Sequence, residues 1–329
     1  AGPAAEAILK RPALLAAFEE QPPRLSVESI EGCSPDERVQ VLSLFAAWVA
    51  VAPEPPRALI LEEIELGLAE ATELAGTLET CGAQLDEWDL TRCKLNDATL
   101  RALLQSLAAQ PLQRLNLGYN ALGQPGAVAL VGAAPSWEGT LEHLALEMNG
   151  LSDAGCLAVA DALQRGLLPR LRVLELGWNE LSSACAPSLA GLLSQERRQA
   201  GGIEKLGLAG NRLGCDGAAH LAIAALGCPR KALELDLSMN HVGAKPLNAI
   251  ADWGEVCEEG LQVAVSINLE WNVVDDGEAV QRLAKALGGR CAALDGLAVS
   301  QPLVRLGNNE LADIDVSAIS SLSRGLVAC

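Results

Sequence analysis

The sequence predicts an α/β fold of the solenoid type, in which about ten strand–turn–helix units stack on copies of themselves. Three observations predict it. The pattern L-x-x-L-x-L-x-x-N-x-L recurs as LQRLNLGYNAL from Leu112, LEHLALEMNGL from Leu141, LRVLELGWNEL from Leu171 and, with Ile for the first Leu, IEKLGLAGNRL from Ile203. Within each copy apolar and polar residues alternate, the period of a short strand with one buried face. After each copy comes a stretch such as GCLAVADAL, whose apolar residues recur at three- and four-residue steps, the period of an amphipathic helix. A fixed period of this kind is the signature of a repeat architecture.

Counting from the Asn sets the register. The clear anchors are Asn120, Asn149, Asn179, Asn211, Asn240, Asn272 and Asn309. Three degenerate copies continue the spacing backward, anchored by Cys93 (LDEWDLTRCKL), Ile64 (ALILEEIEL) and Cys33 (LSVESIEGC). The anchors are 31, 29, 27, 29, 30, 32, 29, 32 and 37 residues apart. The residue three before the anchor is apolar in every copy, and the residue five before fails only at Glu28. An Asn at the strand end has a physical task, because the chain turns inward there and leaves buried N–H and C=O groups. A short amide satisfies both kinds, so stacked copies form a ladder through Asn120, Asn149, Asn179, Asn211, Asn240, Asn272 and Asn309. Cys93 can join it as a small, weak donor, whereas Ile64 cannot, which predicts a local irregularity there.

Strand–helix units of one hand give parallel strands with the helices on the other side. Strands lie about 4.8 Å apart and helices need roughly 10 Å, so the array curves with its sheet inside. The expected product is a right-handed horseshoe with a concave parallel β-sheet and helices on the convex side. One solenoid is expected over 1–329, with degenerate repeats or an N-terminal cap over 1–80, clear repeats over 81–325 and an insertion near 288–301. Residues 5–19 and the C-terminal DIDVSAISSLSRGLVAC each read as the helix of a further repeat. They read as cuts through a longer solenoid, a fragment or processed chain, or else as its caps.

The period, the Asn/Cys anchor and the helices beginning GAVALVGAAP at Gly126, GCLAVADAL at Gly155 and GAAHLAIAAL at Gly217 resemble leucine-rich repeats of the ribonuclease-inhibitor type. The resemblance is strong over residues 80–325 and weak over 20–80. It implies a leucine-rich-repeat solenoid that binds proteins. Members of this family serve as inhibitors, as GTPase activators and as the sensor halves of larger receptors, and the motif does not choose among these roles.

Composition narrows the class. Half of the 329 residues are hydrophobic but only 3% are aromatic, so the core is built from small aliphatic side chains in thin layers. The net charge of −18 repels nucleic-acid phosphates and anionic membrane surfaces and favours a basic protein partner. No signal peptide or membrane-spanning segment is visible. The ten cysteines are widely spaced and include no C-x-x-C pair, which argues against a metal site. Free buried thiols in a reducing, cytoplasmic compartment are the expectation, with organelle import after removal of an N-terminal peptide as the alternative. His143, His220 and His241 fall in different repeats and registers, and neither a nucleophile elbow nor a phosphate-binding glycine loop is present. The expectation is a protein that is not an enzyme and uses no cofactor.

Four positions per repeat, at one, two, four and six before the anchor, point out of the concave face. Of these forty, ten are acidic (Glu31, Glu62, Glu63, Glu87, Asp89, Glu147, Glu175, Glu234, Asp236 and Glu270) and four basic (Arg92, Arg114, Lys205 and Arg305). A quarter acidic is about double the fraction in the whole chain. The position immediately before the anchor holds Tyr119, Met148, Trp178, Met239 and Trp271, which take the chain's one Tyr, both its Met and two of its six Trp. Aromatic and Met side chains beside acidic ones have the composition of a binding hot spot. This column is the candidate partner site, with Glu147, Glu175, Asp236 and Glu270 steering; the alternatives are side chains folded over the sheet edge and a merely solvated acidic face. The remaining tryptophans, Trp48, Trp88, Trp137 and Trp253, are assigned to packing, with Trp137 in a loop. The functional expectation is a non-catalytic interaction scaffold. A GTPase-activator-like regulator, a structural subunit of a large assembly and the sensor half of a larger receptor are the alternatives.

Overall fold

The computed structural model describes residues 12–19, 24–51, 56–82, 84–194, 202–227, 232–256, 264–288, 304–309 and 326–327. The chain forms two compact units, Ala1–Gly150 and Leu151–Cys329. In the first, helix α1 (Pro12–Glu19) precedes strand β1 (Arg24–Ser26). Then strands β2 (Ala58–Glu62), β3 (Glu87–Asp89), β4 (Arg114–Asn116) and β5 (His143–Ala145) alternate with helices α2 (Pro35–Val51), α3 (Leu68–Cys81), α4 (Asp97–Ala108) and α5 (Gly123–Ala133). In the second, strands β6 (Val173–Glu175), β7 (Lys205–Gly207), β8 (Ala232–Asp236), β9 (Ala264–Asn268), β10 (Val304–Arg305) and β11 (Leu326–Val327) occur with helices α6 (Ser152–Gln164), α7 (Ala186–Ser194), α8 (Gly214–Leu226), α9 (Lys245–Val256) and α10 (Gly277–Gly288). Within each unit neighbouring strands pair parallel in chain order.

The strands are short, and in β1, β3, β4 and β6 a single buried side chain stands between two that are not buried, the central core position of each repeat. Leu59, Trp88, Leu115 and Leu144 fill this place in the first unit, and Leu174, Leu206, Leu235, Ile267 and Val304 in the second. Two residues on, Leu61, Leu90, Leu117, Leu146, Leu176, Leu208, Leu237, Leu269 and Leu306 form the adjoining buried layer. Pairing continues past the strands, as where Leu117 N–H donates to Ala145 O and Leu208 N–H to Asp236 O, both at 2.9 Å. Helix α4 shows how a helix starts after the turn. Asn96 Oδ1 accepts from Ala98 and Thr99 N–H at 3.0 Å, and Thr99 Oγ1 accepts from Asn96 N–H at 2.9 Å. This reciprocal cap satisfies donors that a helix start leaves open. The inner faces of the helices, such as Leu100, Leu103 and Leu107 of α4, close the core.

The spacing misplaces the first repeat. It predicts Cys33 as anchor with Ile30 three before it, but Leu25 of β1 pairs with Leu61 of β2, which puts the strand five residues earlier. The reason is burial: Leu25 enters the core while Glu28, which the predicted register would bury, stays exposed at the start of a short 3-10 turn (Glu28–Ile30). At the C-terminus, Leu326–Val327 is a strand beside β10 rather than part of a helix. The rest of that segment, residues 5–11 and most of the 288–301 insertion lie outside the described residues. Trp137 ends a 3-10 turn (Ala134–Trp137) instead of lying in a loop, and its buried indole donates to Leu107 O at 2.9 Å. Trp88 is buried and Trp48 stacks on Phe45 at 6.3 Å.

Candidate binding face

The site is built by the turn that ends each strand. The amide at the anchor makes the same bonds in successive repeats. Asn211 Nδ2 donates to Leu208 O of its own repeat at 2.8 Å and to Leu176 O of the preceding one at 3.1 Å. Its Oδ1 accepts Asn179 and Leu181 N–H at 2.9 and 3.0 Å. Asn120, Asn149, Asn240, Asn272 and Asn309 likewise donate to the carbonyls of Leu90, Leu117, Leu208, Leu237 and Leu269. Asn179 Oδ1 accepts Leu151 N–H and its Nδ2 donates to Leu176 O. Cys93 performs the donor half, with its thiol on Leu61 O at 3.1 Å; the acceptor half passes to its own carbonyl, which takes Leu66 N–H at 3.0 Å. Ile64 is fully buried in this place.

One residue earlier the backbone turns left-handed. From Glu63 through Arg92, Tyr119, Met148, Trp178, Gly210, Met239 and Trp271 to Asn308, every residue of this column has φ between 52° and 68°. Eight of these nine are not glycine, although the conformation costs other residues roughly 1–2 kcal/mol. The turn tips the side chain away from the core and onto the open face. Tyr119, Met148, Trp178, Met239 and Trp271 are 42, 46, 46, 38 and 56% exposed. The signal that could have revealed this turn was in the column itself, where Gly210 and Asn308 are residue types that tolerate positive φ.

The column is partly stacked along itself. In the first unit the Arg92 guanidinium lies 4.7 Å from the Tyr119 ring centre and pairs with Glu63 at 2.9 Å. In the second, the Trp178 indole lies across Gly210, where a side chain would overlap it, and the Glu175 carboxylate lies across Gly207 in the same way.

The four steering carboxylates are all half-buried. Glu175 pairs with Lys205 at 2.8 Å. Asp236 Oδ1 accepts both the N–H and the hydroxyl of Ser238, at 3.0 and 2.7 Å, as Asp89 does for Thr91. Asn116 and Asn268 likewise accept Gly118 and Glu270 N–H. A side chain four before the anchor thus closes the turn, a use of Asp89 and Asp236 that reading them only as surface charge missed. Although burial works against its charge, Lys205 is held above the usual lysine range by Glu175, Glu234 and Asp236.

Comparison with known proteins agrees with this geometry. The family model described as Leucine Rich repeat matches residues 108–131 and 140–160. The chain carries leucine-rich repeats. Its helix-bearing repeats are consistent with the ribonuclease-inhibitor type. It is 33% identical over 108 residues to NACHT, LRR and PYD domains-containing protein 14 of Mus musculus, 34% over 118 residues to Protein NLRC5 of Homo sapiens, and 31% over 169 residues to NACHT, LRR and PYD domains-containing protein 5 of Bos taurus. These stretches are 32, 35 and 51% of this chain. The chain spans only 11, 6 and 15% of the length of these curated relatives.

Elsewhere in the leucine-rich repeats, His143 is half-buried on β5, while His220 on α8 and His241 after Asn240 are exposed. Among the described residues no group of His, Cys, Asp or Glu is arranged to hold a metal ion, and no helix is long and apolar enough to cross a membrane. Cys33, Cys93, Cys156 and Cys185 are buried thiols, and Cys81 and Cys215 are partly exposed thiols. Burial pushes the Cys93 thiol up to about 12. Since the thiolate is the reactive form, Cys93 is expected to resist iodoacetamide at pH 8 in the folded protein and to react once urea unfolds it, as peptide mass mapping would show.

Asp153 ties two repeats of the second unit together. Its oxygens accept Ser182 N–H at 2.7 Å, Ser182 Oγ at 2.5 Å and the Cys185 thiol at 3.0 Å. Burial opposes the charge, but the bonds from Cys185 and Ser182 hold the carboxyl below the usual aspartate range. A lowered folded pKa gives stability that is complete above the unfolded value of about 4 and is lost as pH falls through the folded value. Asp153→Asn is therefore expected to lower urea stability at pH 7 by about 1 kcal/mol and by less at pH 3.

Proposed function

We propose that this protein is a non-catalytic interaction module that binds a protein partner through the open sheet face, the concave face of the predicted horseshoe. In the first unit Tyr119 and Met148 are the contact side chains, with Glu147 steering; in the second they are Trp178, Met239 and Trp271, with Glu175, Asp236 and Glu270. One observation carries this reading. Five large apolar side chains stand exposed on a backbone turn that disfavours them, where they add little to the core. A partner that desolvates them would recover the cost, at roughly 2 kcal/mol for each hot-spot residue. The partner is basic, because half-buried carboxylates flank these side chains and the chain carries a net charge of −18. Opposite charge on the partner would chiefly raise the association rate and its salt dependence. The buried thiols support a reducing, cytoplasmic setting.

A second reading, that the repeats are the sensor part of a larger receptor, is favoured by the relatives, two of which are named for NACHT and LRR domains together. It shares the same binding face.

The test is a pull-down from native lysate with the parent chain and with a Tyr119→Ala, Trp178→Ala, Trp271→Ala variant. A partner retained by the parent and lost by the variant at an unchanged melting temperature supports the proposal. Equal recovery by both overturns it.

A further inference from the structure

The two units treat the exposed ring of the column differently. In the first, the chain supplies its own cation: the Arg92 guanidinium lies on Tyr119 and is held from behind by Glu63. In the second, the position after Trp178 in the column is Gly210, which has no side chain to offer. The indole rests one face on that glycine and remains 46% exposed. The row four before the anchor has the same gap. Register places Glu175, Gly207 and Asp236 side by side on β6, β7 and β8, so two carboxylates flank a residue without a side chain. Two strand spacings, about 10 Å, separate their backbones, and the Glu175 carboxylate reaches over Gly207 toward Asp236.

We propose that the Trp178 ring, lying on Gly210, together with Glu175 and Asp236 of the row four before the anchor, receives a single arginine side chain of the protein partner. This rests on the binding-face reading above and narrows the partner to one that presents an exposed arginine.

Charge supports a cation here. Lys205 faces three carboxylates, Glu175, Glu234 and Asp236, so the group keeps a surplus of two negative charges. Geometry supports arginine over lysine. Glu175 gives Oε1 to Lys205, and Asp236 gives Oδ1 to Ser238. Glu175 Oε2, which lies over Gly207, and Asp236 Oδ2 remain for the donors along the edge of a guanidinium. That group is planar, weakly hydrated and stacks on aromatic faces, whereas an ammonium is a compact, strongly hydrated point charge. The Glu63–Arg92–Tyr119 arrangement is the same chemistry satisfied within the chain.

The test titrates the full chain, labelled with nitrogen-15, with three capped tripeptides: Gly-Arg-Gly, Gly-Lys-Gly and Gly-citrulline-Gly. The arginine peptide is expected to shift the Trp178 indole N–H, assigned through Trp178→Phe, together with the Gly207 and Gly210 amides. The lysine peptide should bind about fivefold more weakly, and Trp178→Leu or Asp236→Asn should weaken the arginine peptide by about the same factor. Equal shifts from the citrulline or lysine peptide, or none with arginine up to about 50 mM, overturn the arginine site. If the pull-down variant still loses its partner in that case, the binding face stands and only the arginine assignment falls. If the variant keeps its partner, both fall.

Discussion

Asn211→Ala is expected to destabilise the second unit by about 4 kcal/mol, more than any surface substitution in the chain. Asn211 is 1% exposed, and its amide serves two carbonyls and two N–H groups at once. Truncation leaves the N–H groups of Asn179 and Leu181 buried without an acceptor, at roughly 1–3 kcal/mol each, together with a small cavity. Cys93 indicates the intermediate case, since a thiol keeps the donor and lets its own carbonyl accept. Asn211→Cys should therefore cost about half as much as Asn211→Ala. Urea unfolding of the two variants checks the order, and equal losses would mean that the acceptor half of the ladder carries no weight.

Gly210→Val is expected to cost about 3 kcal/mol and to dislodge the Trp178 ring. Two terms add. Gly210 sits at φ +68°, where a β-branched residue is a genuine outlier, and any side chain there overlaps the indole. A double-mutant cycle separates them: adding Trp178→Ala should return the overlap, about 1 kcal/mol, and leave the backbone term. No recovery would mean that the ring does not rest on this glycine.

Where the sequence was readable, each residue had one physical task repeated at a fixed spacing. Asn120 through Asn309 could be placed because a buried amide at a strand end has no substitute of equal reach, and Leu117 or Leu208 because the strand period leaves them no other face. Legibility failed where two registers bury comparable apolar groups. Leu25 and Ile30 are both buried, and spacing alone chose the wrong one as the strand residue. The residues of the candidate site were legible as an unusual column of large side chains. Their left-handed backbone was hinted at only by Gly210 and Asn308 of the same column, because Tyr119, Trp178 and Trp271 themselves give no local sign of positive φ. The double use of Asp236 was hidden for a related reason, since an outward carboxylate looks the same in sequence whether it steers a partner or closes its own turn.

The central claim is that the column's side chains are held on a costly turn for contact with a partner rather than for the fold. Trp178→Asn with Trp271→Asn tests it directly, because Asn tolerates the left-handed turn better than Trp does. The measurement is one preparation of this variant, assayed for melting temperature and for affinity to the partner recovered by the parent chain. The account predicts a melting temperature equal to or above the parent's, and binding weakened by roughly a thousandfold, as two hot-spot losses near 2 kcal/mol each would give. A melting temperature that falls by several degrees while affinity holds would contradict it and make the column part of the fold.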